Sequence, residues 1–90
     1  MNPVSLAQAS SEFKNFLKEK GHSTSTIVAY GKDIEQLVDF LNKAGKQNID
    51  DVTQSDIENF LAKMNEEGYT PKSISRKINS TRTFYRFLKT

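Results

Sequence analysis

Apolar residues recur at three- and four-residue intervals along nearly the whole chain, the spacing that lines one side of a 3.6-residue helix. Leu6, Ala9, Phe13, Phe16 and Leu17 form the first stripe, over about residues 6–20, and Gly21 stops it. A second stripe, Ile27, Tyr30, Ile34, Leu37, Val38 and Leu41, follows a good N-cap at Ser23 and runs to about residue 44, before Gly45. Gly31 interrupts it at a cost of about 1 kcal/mol against Ala, which implies close packing or a slight bend there. Residues 47–52 read as an extended connector, with Ile49 and Val52 pinned on the core. Thr53 then caps a third helix, with Asp56 completing an acidic capping box; Ile57, Phe60, Leu61 and Met64 form its buried face and Gly68 ends it. The fourth helix has the clearest start, Thr70 as N-cap and Pro71 at the first helical position, where a missing N–H costs nothing. Ile74, Ile78, Thr81, Tyr85 and Leu88 align along it, with Phe84 beside them. No strand-period segment of useful length interrupts this pattern, so the expectation is an all-α fold, one domain over residues 1–90.

Two helix starts echo each other. Gly21-His22-Ser23-Thr24-Ser25-Thr26-Ile27 is similar to Gly68-Tyr69-Thr70-Pro71-Lys72-Ser73-Ile74, a glycine turn, a hydroxyl cap and a polar first turn. Asp33-Ile34-Glu35 and Asp56-Ile57-Glu58 also match, but at a different offset, so there is no tandem repeat. Helix starts rich in Ser, Thr and Lys suit phosphate contacts, since free N–H groups and the helix dipole both favour anions. Each start taken singly is equally well a good N-cap.

Charge sharpens the picture only through its distribution. The net charge is +2, but residues 72–90 hold six of the 13 basic residues and no acid, leaving the remainder acidic. Such asymmetry suggests one surface aimed at a polyanion, although a solvated basic helix would share it. Without cysteine there is no disulfide framework and no thiolate metal site. A reducing cytoplasm fits that composition. No basic-then-apolar leader pattern opens the chain, and no apolar run is long enough to span a bilayer.

On a wheel of about 100° per residue with Ile74 at zero, Ile78, Thr81, Tyr85 and Leu88 fall within about 40°. Lys72, Ser75, Arg76, Asn79, Arg82, Thr83 and Arg86 lie on the opposite half. These are the residue types that read DNA: Arg for guanine, Asn for adenine, hydroxyls for either, Arg and Lys for phosphate. A solvated face would mix in Glu for i, i+4 pairs. The second helix offers a weaker polar face, Ser25, Ala29, Lys32 and Gln36, small enough at its start to approach a groove.

The ordered set Phe13-x-x-Phe16-Leu17, Gly21-x-Ser23-x-x-Thr26-Ile27-x-x-Tyr30-x-x-Asp33-Ile34 resembles the N-terminal core-binding domain of tyrosine recombinases of the phage-integrase type. The likeness continues through Phe40-Leu41, Val52-Thr53-x-x-Asp56-Ile57, Phe60-Leu61 and Thr70-Pro71-x-Ser73-Ile74-x-Arg76-Lys77, and is most specific from Ile78 to Leu88. The resemblance implies a four-helix SAM-like bundle of two crossed helical hairpins, one jaw of a clamp on double-stranded DNA. Its second and fourth helices would enter the major groove. It places contacts on Ser25, Thr26, Tyr30 and Lys32, and on Lys72, Ser73, Arg76, Asn79, Arg82, Thr83 and Arg86. Thr26 and Tyr30 sit at the edge of the core, where packing is as good a role. His22 and Gly31 depart from the family pattern, and Gly31 removes a basic phosphate contact.

The resemblance further implies strand exchange through a phosphotyrosine formed by a C-terminal catalytic domain, which residue 90 precedes, and assembly with other recombinase subunits. Tyr30, Tyr69 and Tyr85 lack an Arg/His surround, and a lone His22 builds neither a metal site nor a catalytic pair. The expectation is a cytoplasmic, monomeric, non-catalytic domain without cofactor or membrane partner. The competing class is a helical protein-interaction module, for which Phe40 and Phe87, lying off the main stripes, would supply an exposed patch.

Overall fold

Local signals set the helix boundaries in the computed structural model, which describes residues 5–89. The helices are α1 (Leu6–Glu19), α2 (Thr24–Lys43), α3 (Gln54–Glu66) and α4 (Pro71–Leu88), with one 3₁₀ turn at Ile49–Asp51. The first four residues of the stretch read for a leader pattern, and residue 90, lie outside the described ones.

Each N-cap lends an oxygen to a backbone N–H that the helix leaves unpaired. Ser5 accepts from Gln8 N, Ser23 from Thr26 N, Thr53 from Asp56 N and Thr70 from Ser73 N. The predicted capping box is present, with Thr53 N–H donating to Asp56 Oδ2 at 2.8 Å. Gly21 and Gly68 take φ of +82° and +85°, left-handed values that a side chain would strain, and so turn the chain into α2 and α4.

The connector differs from the extended reading. Leu6 N–H donates to Gln47 O at 2.9 Å and Ser5 bridges Asn48, clipping the start of α1 to the connector. The chain then tightens into the 3₁₀ turn, because Asp51 N–H reaches Asn48 O at 3.0 Å and the Asp51 carboxylate accepts from Asn48 N–H at 3.4 Å. Val52 is nevertheless buried and Ile49 partly so, as the apolar pattern requires.

Helix α1 packs on α2 and α3 on α4, and the two hairpins meet chiefly through α2 and α4. Phe13, Phe60 and Phe84 are fully buried between them, and Phe13 meets Phe84 edge-on at 5.1 Å between ring centres. Phe40 and Phe87 do not form an exposed patch. Phe40 packs on Phe60 at 5.6 Å, and Phe87 on Phe16 and Phe13 at 5.0 and 5.5 Å. Gly31 is buried under Lys14: a Cβ there would lie 2.9 Å from Lys14 Cε, the far end of a flexible side chain that can swing aside, so the structure does not require a glycine at this position. Among the described residues, no helix is long and apolar enough to cross a membrane.

Candidate nucleic-acid interface

The buried side of α4 is not centred where hydropathy alone puts it. Lys77, Ser80, Thr81, Phe84 and Leu88 are buried, whereas Ile74, Ile78 and Tyr85 are only partly covered. On the same wheel this shifts the buried axis by about 60°. The cause is a polar cluster in the contact between α2 and α4.

Asp33 of α2 is wholly buried. Its Oδ1 accepts from Arg76 Nη2 at 2.9 Å and Lys77 Nζ at 2.9 Å, and its Oδ2 from Arg76 Nε and Ser80 Oγ, both at 3.0 Å. Lys77 Nζ also donates to Gln36 Oε1 at 2.6 Å and lies 4.6 Å from the centre of the Tyr69 ring, whose hydroxyl accepts from Gln36 Nε2. Burial by itself would raise the Asp33 carboxyl, but hydrogen bonds from Arg76, Lys77 and Ser80, with the Lys77 charge, outweigh it and hold the group below its ordinary value. The Arg76 guanidinium is correspondingly raised by its hydrogen bonds to Asp33, against the opposing effect of burial.

Outward from this cluster, α4 presents Lys72, Ser75, Asn79 and Arg86, all exposed, with no carboxylate anywhere on the helix. Arg76 and Arg82 flank that ridge on opposite sides. Arg76 leans to α2 and Asp33, while Arg82 leans to α3, where its Nη2 donates to Glu58 Oε1 at 3.2 Å. Lys72 and Arg86 have no ion-pair partner among the described residues, although Arg86 Nη2 donates to Thr83 Oγ1 at 3.4 Å.

Ser25, Lys32 and Arg76 come together around a depression of about 410 Å³, with Thr24, Val28 and Ala29. Asn79, Arg82 and Arg86 line a groove of about 350 Å³ against Gln54, Ile57 and Glu58 of α3. Thr26 and Ser73 are half-buried and share one geometry: each hydroxyl accepts from its cap, Ser23 Oγ at 3.0 Å and Thr70 Oγ1 at 3.1 Å. The two helix starts that echo in sequence are therefore equivalent in space. Thr83 is half-buried, and Tyr30 packs partly on the core, its ring 6.2 Å from that of His22. Gln36 is exposed but belongs to the Lys77 cluster rather than to an open polar face.

Sequence reasoning missed Asp33 and Lys77. A signal was present, because an acid beside the apolar stripe of α2 and an acid-free basic helix make natural counter-charges.

These features define a class: an all-α domain of two helical hairpins whose last helix turns cations and amides outward. The chain matches the family described as phage integrase, N-terminal SAM-like domain, over residues 11–90, and belongs to it. It is 41% identical over 83 residues to tyrosine recombinase XerC of Bacillus licheniformis, covering 83% of this chain and 27% of that protein. XerC of Oceanobacillus iheyensis is 41% identical over 71 residues, covering 79% and 23%, and XerD of Bifidobacterium longum 33% over 69 residues, covering 77% and 22%. The chain thus spans about a quarter of the length of these curated relatives. No solved structure matches it.

Proposed function

We propose that this chain is the domain with which a site-specific tyrosine recombinase grips double-stranded DNA, laying the α4 ridge and the first turns of α2 into the major groove. The observation that carries this reading is the acid-free outward face of α4, flanked by Arg76 and Arg82 and adjoining the depression lined by Ser25 and Lys32. Arg and Asn side chains there suit guanine and adenine edges, and Lys72 and Lys32 suit phosphates. The relatives named as recombinases are more than three times as long as this chain, so covalent strand exchange is assigned to regions outside the matched quarter. The chain itself would bind, orient and help subunits assemble, as a cytoplasmic and otherwise monomeric unit without cofactor. The interaction-module reading drew on Phe40 and Phe87 as an exposed patch; both instead pack partly against the core, which supports the DNA reading over it.

Titrating salt against binding of a labelled random-sequence duplex tests the proposal. With roughly five phosphates neutralised, log K should fall against log salt with a slope near about −4.5. Arg76→Ala and Arg82→Ala should weaken binding, whereas Glu12→Ala, at an exposed position of α1, should not. No binding at low salt would refute the reading.

A further inference from the structure

Arg76 uses Nε and one Nη2 proton on Asp33, and its side chain remains 42% exposed where the depression opens. Both Nη1 protons and the outer Nη2 proton have no partner among the described residues, and an arginine can donate from all of them. Lys77, 3% exposed, meets the same carboxylate from the inside. Asp33 carries one negative charge, so Lys77 balances it and Arg76 is fastened without being discharged. The cluster therefore presents a net positive guanidinium in a fixed orientation. A bidentate carboxylate contact fixes the plane as well as the position of an arginine.

We infer that Asp33 is a positioning residue for DNA: it holds the Arg76 guanidinium so that its free edge faces a phosphate or a guanine beside Ser25 and Lys32. This rests on the DNA reading above. Coulomb attraction alone makes the opposite forecast, since deleting an acid next to a DNA-binding face should strengthen binding. The sign of the effect is thus diagnostic.

The experiment measures binding of the whole chain to the random-sequence duplex across a salt series, for wild type, Asp33→Asn, Arg76→Ala, Arg76→Lys and the double variant Asp33→Asn/Arg76→Ala. Circular dichroism confirms that each is folded at the temperature used. Positioning predicts that Asp33→Asn weakens binding on the order of tenfold, as Arg76→Ala does, with the salt slope shallower by about 1 in both. The double variant should then be no worse than Arg76→Ala. Arg76→Lys, which keeps the charge but cannot span the carboxylate and still face outward, should lose most of the same affinity. It decides the matter if Asp33→Asn does not fold. Unchanged or tighter binding by folded Asp33→Asn, or full binding by Arg76→Lys, overturns the inference. If wild type itself shows no salt-sensitive binding, the DNA reading fails and this inference falls with it.

Discussion

Helix α4 holds two arginines by carboxylates of neighbouring helices, and the two sites behave as physical opposites. At the α2 side, Asp33 is 1% exposed and binds Arg76, Lys77 and Ser80 together. At the α3 side, Glu58 and Arg82 are 47% and 57% exposed and meet through one contact at 3.2 Å. Water screens the second pair and leaves it worth little. In the first, desolvation makes each charge depend on its partners, so the loss of one strands the others. The same charge pairing is therefore a structural joint on one flank and a loose tether on the other. Arg82 can leave Glu58 for a phosphate at small cost, whereas Arg76 arrives already oriented.

The largest effect should come from breaking the buried joint. Asp33→Ala leaves Lys77 buried without a counter-charge and should destabilise the fold by about 3–5 kcal/mol, read as the change in urea midpoint. Glu58→Gln should change stability by less than about 1 kcal/mol in the same assay.

Acid titration should separate the flanks next. The folded Asp33 carboxyl lies below its unfolded value, so the unfolded chain binds the proton more readily and stability rises with pH there. The stabilisation is fully present above about pH 4 and is lost as pH falls through the lower, folded value. Asp56 is shifted the same way: burial raises it, but the Thr53 N–H and Lys46 more than compensate. A pH series of thermal melts checks this. The part of the acid slope owed to Asp33 should vanish in a folded Asp33→Asn variant and persist in Glu58→Gln.

The equivalence of the two helix starts gives a middle-sized effect. Ser23→Ala and Thr70→Ala each remove a cap of the same geometry and should cost about 1 kcal/mol apiece by chemical denaturation. The smallest effect is on binding at the loose flank. Glu58→Gln frees Arg82 and removes an acid from the groove, so duplex affinity at low salt should rise about two- to threefold. Unchanged affinity would mean that Arg82 takes no part in the interface.

The same contrast explains how much was legible in the sequence. Caps, glycine stops and the Thr53–Asp56 box depend on neighbours within a few residues, so helix boundaries and fold class could be read directly. The polar ridge Lys72, Asn79 and Arg86 followed from periodicity, but Arg76 and Arg82, read as part of the same open face, are drawn to its two edges by Asp33 and Glu58. Hydropathy misplaced the buried axis of α4 because it gives the polar Lys77 and Ser80 no weight in the apolar stripe, while their partner Asp33 lies more than forty residues away in the chain. Residues 47–52 were misread for a related reason. The 3₁₀ turn there depends on an Asn48–Asp51 contact that hydropathy does not register.

The most direct test of the DNA account is to add a duplex to isotopically labelled protein and follow the backbone amides by NMR. The account predicts that the strongest shifts cluster on Ser25, Lys32, Lys72, Arg76, Asn79 and Arg86, and that raising salt reverses them. Shifts centred on the exposed faces of α1 and α3, or none at low salt, would contradict it.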